Sequence, residues 1–334
     1  MSPQQVEQLL RDQAPEVLFG PARGEQAPSA PLRFHRVIAS ARTLRPLLQT
    51  AARLFTRRWA VAVALLLIVV ESMVAARALA APPATLESSQ VASAVALTML
   101  GVLVHELGHL AACLKYEAPH GGIGIGLYWC VPVFFAEVHG AWLLARQQRA
   151  VVDAGGLYLQ SAYVLMLGVL YLASGAPAVL AAVVCSHFLM LHTLNPVLKY
   201  DGYWLLSDLT GIHNLHQCVR RVAGEAWRAL HLRRHELMPC ARELALLGGF
   251  IAAAVVYFSY TLTVLAHTLA STGASAIESW AAMRHTAAAD LAVASLHAVG
   301  ETVLLAVLLL MTGGIVALLA RSIGAITREP ANDR

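Results

Sequence analysis

The sequence predicts an all-α polytopic membrane protein of about six transmembrane helices, with a small membrane-dipping β-hairpin or re-entrant segment between helices two and three. Three observations carry this. Of 334 residues, 58% are hydrophobic and only 13% charged, against about 45–50% and about 25% in a soluble domain; mean hydropathy is +0.62. The apolar residues gather in blocks of about 18–25, long enough to cross about 30 Å of hydrocarbon at about 1.5 Å per residue. The basic residues sit at the flanks of those blocks. This composition excludes a disordered chain, a collagen and a routine soluble enzyme. The net charge of +4, not interleaved with aromatics, reads as membrane-surface charge, and no nucleic-acid partner is expected.

In chain order, residues 1–58 read as a polar, partly disordered cytoplasmic arm, Pro/Gly-rich from Gly20 to Pro31 and basic and amphipathic from Arg42 to Arg58. Its nine arginines without an apolar core give no expectation of a cleavable signal peptide. A transmembrane core over 59–198 holds spans Trp59–Ala80, Val91–Leu114, Leu157–Ala173 and Pro177–Leu194, the last two separated only by Ser174-Gly175-Ala176. The stretch Gly121–Val138 is too apolar for a solvated loop and too glycine-rich, with Pro132, for a spanning helix. Backbone at membrane depth must pair internally, so a hairpin or sheet edge is favoured. Residues 199–242 read as basic soluble or interfacial helix, 243–320 as two more spans (Leu244–Leu269 and Leu291–Ala320), and 321–334 as a tail. The five cysteines form no CxxC pair and are an odd set, so reduced thiols are expected.

Six spans put both termini on one side. If that side is cytoplasmic, the inside segments carry nine, three, seven and three basic residues, 22 of the 24, leaving Arg77 and Arg284 outside. The excess of Lys and Arg orients the chain with both termini in the cytoplasm.

The second span contains His105-Glu106-Leu107-Gly108-His109, an HExxH. Residues four apart lie about 40° apart around a helix, so both imidazoles face one point and can share a metal. Glu106 sits where its carboxylate can reach a metal-bound water. With 14 His in 334 residues and as many Glu, independent placement gives this pattern about 0.02 times per chain. The bland alternative is a polar cluster lining a helix interface, a costly one at membrane depth.

A third ligand is needed, and spacing tests the candidates. Lys115 stands where a metzincin has its third histidine, and the nearest downstream acid, Glu137, lies beyond a thermolysin-like spacing. Asp201 remains, in Asn195-Pro196-Val197-Leu198-Lys199-Tyr200-Asp201-Gly202. Spans two and four run the same way across the membrane, so Asp201 reaches the leaflet of His109. Pro196 breaks the helix and Gly202 permits a turn back toward the metal. An Asp-Gly pair also reads as a simple surface turn.

HELGH in an early span, with NPVLKYDGYWLLSD at the end of a later one, resembles the site-2 protease family of intramembrane zinc metalloproteases. It is similar in particular to a bacterial branch of peptide zinc metalloproteases often encoded with ribosomally made peptides. The similarity covers about Val91–His216. It implies that His105, His109 and Asp201 bind one zinc ion, that Glu106 is catalytic, and that Asn195, Pro196 and Gly202 support substrate or site geometry. It also implies a bacterial inner-membrane location, a peptide or membrane-protein substrate, and peptide-maturation or export partners. The family's small Ala-Gly-Pro element stands here as Ala154-Gly155-Gly156, with the proline lost and no ligand removed.

The expected activity is thus that of a zinc endopeptidase with Glu106 as general base. A strand edge in Gly121–Val138 could hold an extended substrate by β-augmentation; a structural plug is the plainer reading. One alternative is a non-catalytic zinc-binding accessory of a peptide exporter. Another is a histidine-box di-iron oxygenase, using His105/His109, His213/His216 and His231/His235, although no adjacent His-His pair is present. His187 and His192, about 140° apart on a helix, are poor co-ligands. Glu71, His297 and Glu301 lie at membrane depth, the latter two spaced to satisfy each other; for these and His139 the sequence gives no role. His213/His216 and His231/His235 read as solvated interfacial residues, and Gly155-Gly156 as a close helix contact.

Overall fold

The computed structural model describes residues 32–81, 86–128, 131–212, 214–231 and 240–283, and parts of 291–309. Strand β1 (Leu32–Ala39) leads into α1 (Ala41–Ala52), α2 (Arg57–Ala80) and α3 (Ser88–Lys115). Strands β2 (Ile123–Tyr128) and β3 (Val131–Ala136) and a 3-10 turn (His139–Leu143) follow. Then come α4 (Arg146–Ser174), α5 (Pro177–Thr193), α6 (Asp201–Thr210), α7 (Leu215–His231) and α8 (Ala241–Ala282).

Four helices, α2, α3, α4 and α8, are long and apolar enough to cross a membrane. Helix α5, the expected fourth span, is apolar but has only 17 residues. The expected sixth span is described only in part, with residues 298–303 helical, and the tail 321–334 and His297 lie outside the described residues. Apolar side chains on α2 point outward: Leu65, Leu66, Ile68 and Val69 are all exposed, while Val74 is its buried contact. In water that face would be a large sticky patch; against lipid tails it is the ordinary surface of a span.

The helix limits follow local chemistry. Thr56 Oγ1 accepts the Trp59 N–H at 3.4 Å at the start of α2, and Gln90 Oε1 accepts the Glu87 N–H at 3.1 Å at the start of α3. Gly175, at φ 67°, closes α4 in a conformation that glycine alone adopts without strain. Pro177 then opens α5 at a position that needs no N–H. At the same end of the molecule Arg77 donates to the Leu172 carbonyl, one of the carbonyls that the end of α4 leaves unpaired.

Helices α3 and α4 share the most extensive contact, and α3 also packs on α1, α5 and β3. Gly108 and Gly155 allow the α3–α4 approach: a Cβ on Gly108 would collide with the Gly155 carbonyl. Val74, Tyr163, Val164, Leu167 and Val183 join α2, α4 and α5 in one buried cluster, and Leu48, Leu110 and Ile123 join α1, α3 and the sheet in another.

The expected hairpin forms within Gly121–Val138, with β2 and β3 antiparallel from Ile123↔Ala136 to Tyr128↔Val131. Residues 129–130 lie outside the described residues. One strand is added and two expected bounds shift. The expected arm contributes Leu32–Ala39, which adds to β2 as a third antiparallel strand, in the order β1-β2-β3. Register shifts between Arg33/Arg36 and Val37/Ala39 break its alternation, which hid the strand. Helix α4 starts at Arg146, not near Leu157, and there Arg149 finds a half-buried acidic partner, Asp208, that hydropathy does not register. Helix α8 continues past Leu269 to Ala282, 42 residues and about 63 Å, so it outruns a hydrocarbon core of about 30 Å.

Candidate metal centre

The site starts from the HExxH turn of α3. His105 and His109 are buried, 5% and 8% exposed, with their Nε2 atoms 3.2 Å apart. Each ring is held from behind by α4. His109 Nδ1 lies 2.8 Å from the Val152 carbonyl, which can only accept, so Nδ1 carries the proton and Nε2 keeps its lone pair. His105 Nδ1 lies 2.9 Å from Gln160 Oε1, and the same tautomer follows. Both lone pairs therefore face one point.

Asp201 arrives there from the first turn of α6. Its Oδ2 is 2.7 Å from His105 Nε2 and 3.5 Å from His109 Nε2. The three donor atoms lie within 4.8 Å of one another, and among the described residues this is the one group of its kind. Asp201 supplies the anion of the set, a carboxylate ionised at neutral pH. Two imidazoles and a carboxylate are a donor set suited to a divalent transition metal. Two nitrogens bound at about 2.0–2.1 Å with a tetrahedral angle stand roughly 3.3 Å apart, close to the observed pair.

The segment that brings in Asp201 is braced at several atoms. Helix α5 stops at Thr193, before Pro196. Asn195 is buried, 7% exposed; its Oδ1 accepts the Val197 N–H at 2.8 Å, and its Nδ2 has no hydrogen-bond partner among the described residues. His216 Nε2 donates to the Val197 carbonyl at 2.8 Å and its ring packs on Tyr203. Gly202 lies inside the first turn of α6, where a Cβ would strike the Leu194 carbonyl. Its task is thus close approach, not the turn that the sequence suggested.

Glu106 lies between the two histidines on α3, and the backbone N–H of Ala136 in β3 reaches its carboxylate. That N–H points away from β2, so the outer edge of β3 borders the site. The alternative ligand Glu137 is engaged elsewhere, its Oε2 accepting the Gly122 N–H at 3.0 Å.

The other polar candidates do not join the centre. His187 Nε2 lies 3.8 Å from Glu71 Oε2, pairing α5 with α2. His192 meets the Tyr257 hydroxyl at 3.3 Å. Glu301 accepts from Ser275 at 2.6 Å and Ser279 at 2.7 Å, a helix-to-helix tie. His139 is exposed at the start of the 3-10 turn. His213 and His235 lie outside the described residues, and His216 is half-buried and bonded, not solvated. Sequence reasoning missed Gln160, a lone buried amide in an apolar span whose cost should have signalled a partner. It also missed Val152, whose contribution is a backbone carbonyl and leaves no trace in residue type.

Gly156 faces the ligand atoms directly. A Cβ there would stand 2.5 Å from His109 Nε2 and 2.6 Å from His105 Nε2. Gly156→Ala should therefore lower metal affinity by at least about tenfold, although alanine favours the helix by about 1 kcal/mol. Competition with a chromophoric chelator measures this, and unchanged affinity would contradict the placement.

No protein-family model, curated protein or solved structure matches the chain.

Proposed function

We propose that the chain is an intramembrane zinc metalloendopeptidase of the site-2 protease type, acting on a membrane-associated or ribosomally made peptide. The observation that carries this reading is the convergence of His105, His109 and Asp201 with a glutamate, Glu106, that follows the first histidine and is not a member of the ligand group. His105, His109 and Asp201 would hold the zinc, which when bound supplies a Lewis acid and lowers the pKa of water toward about 7.

The chain's own groups do the rest. Glu106 takes the proton of the attacking water and delivers it to the leaving amine. Val152 and Gln160 keep both imidazoles in the tautomer that leaves Nε2 free. The outer edge of β3 offers backbone groups to an extended peptide, which the reaction needs because a helical segment hides its carbonyls in its own hydrogen bonds. Asn195, whose buried Nδ2 has no hydrogen-bond partner among the described residues, can hold a substrate carbonyl. Incubating purified protein with candidate peptides tests the reading by mass spectrometry. Cleavage should vanish after chelation and return with zinc; cleavage that survives full metal removal would overturn it.

The same reading gives six spans, α5 and the helix around 298–303 included, with both termini cytoplasmic in a bacterial inner membrane. In a chain freed of its native cysteines, a cysteine at Ser89 should react with an impermeant external reagent. Cysteines at Ser2 and Lys199 should not. The reverse pattern would separate Asp201 from the leaflet of His109 and remove the topological support for the site.

A further inference from the structure

We propose that the Arg149–Asp208 ion pair is the positioning device that sets the third ligand, Asp201, on the metal; this rests on the metal centre described above, not on proteolysis. The two histidines need little help, since one continuous helix carries both and α4 fixes each ring. Asp201 is different. It opens a helix of 10 residues that follows an irregular segment, and a helix this short is marginal without tertiary docking. Its place depends on how α6 is held against α4.

Asp201 and Asp208 are seven residues apart, about 20° short of two full turns, so both carboxylates leave the same face of α6 about 10 Å apart. Asp201 meets the histidines and Asp208 meets Arg149. Arg149 Nε lies 3.0 Å from both Asp208 oxygens and Nη2 lies 2.6 Å from Oδ1. From behind, Arg149 Nη1 donates to the Leu144 carbonyl at 3.2 Å, which fixes the guanidinium plane. The side chains are 18% and 13% exposed, so water screens the pair weakly. Asp153 also faces Asp208 and Arg149, so Asp208 meets α4 at two side chains, of which only Arg149 carries the opposite charge. On α4, Arg149, Val152, Gly156 and Gln160 recur at steps of three and four and so share one face. That face steers all three ligands: His109 through Val152, His105 through Gln160, and Asp201 through Arg149 and α6. The α3–α4 contact and the apolar cluster of α2, α4 and α5 do not involve the pair, so its loss should spare the transmembrane core.

The test uses the full chain in detergent, measuring zinc affinity by chelator competition and the visible spectrum of the cobalt-loaded protein, with helicity and thermal unfolding alongside. Asp208→Asn and Arg149→Gln should each weaken zinc about 10–100-fold, the usual range for groups that orient ligands. Each should also lower the cobalt absorption intensity as water replaces the carboxylate and coordination number rises. The double variant should lose no more than the worse single one, because the two groups act as a unit. Arg149→Lys, which keeps the charge but not the fork, should fall between wild type and Arg149→Gln and gives the same comparison should either stronger variant misfold. Wild-type affinity and spectrum in folded Asp208→Asn, or strictly additive losses, would overturn the proposal. Should Asp201→Ala bind zinc as wild type does, the metal centre itself has failed. Should wild type bind zinc but cleave nothing, only the protease reading has failed.

Discussion

Glu106→Gln should cut peptide hydrolysis about 10³-fold while the protein keeps one metal per chain. The two halves of that expectation have separate causes. Glutamine preserves the size of the side chain and still accepts the Ala136 N–H through its carbonyl oxygen, so β3 and α3 stay in place. Metal is retained because the convergent donors are His105, His109 and Asp201. What disappears is the group that can take a proton from water and return it, a contribution of about 10²–10⁴. Single-turnover cleavage by mass spectrometry, with metal content measured on the same preparation, separates the outcomes. Metal loss matching that of His105→Ala would make Glu106 a ligand, and near-normal cleavage would require another base.

How much of this was legible in the sequence differs by element. The HExxH turn was readable because its geometry is local: four residues on a helix fix which face two side chains share. Asp201, 92 residues beyond His109 in the sequence, was reachable by counting spans and asking which ends share a leaflet. What lay between them was not readable. Arg149 looked like a flanking positive charge and Asp208 like an ordinary surface acid, because hydropathy scores each as if alone; their bidentate contact exists only once α4 begins at Arg146 and α6 docks on it. Strand β1 was hidden for another reason. Its pairing to β2 is long-range and twice interrupted, so neither alternation nor composition marks it. The far end of α8 was missed because His267, Thr268, Ser271 and Thr272 lower the hydropathy without stopping a helix whose hydroxyls bond back to their own turns, as Thr268 does to the Val264 carbonyl.

Asp201→Ala should remove metal and activity together, with an affinity loss of more than about 100-fold, beyond the usual range for groups that only orient ligands. Asp201 is the single anion among the three donors, so its removal takes away both a ligand and the negative charge that makes a divalent cation favourable beside two neutral imidazoles. Asn195→Ala acts differently: its side chain braces Val197 and does not belong to the ligand group, so metal should stay while turnover slows. Lys199→Arg should be tolerated, because Lys199 is exposed and its Nζ lies 6.0 Å over the Tyr203 ring, a position a guanidinium can also occupy. Glu137→Ala should keep its metal, since the Glu137 carboxylate is spent on the Gly122 N–H. Zinc per chain in detergent, measured for these variants beside wild type, decides the matter. Full occupancy in Asp201→Ala with metal lost from Glu137→Ala would move the third ligand to the strand hairpin and detach α6, and with it Arg149 and Asp208, from the chemistry altogether.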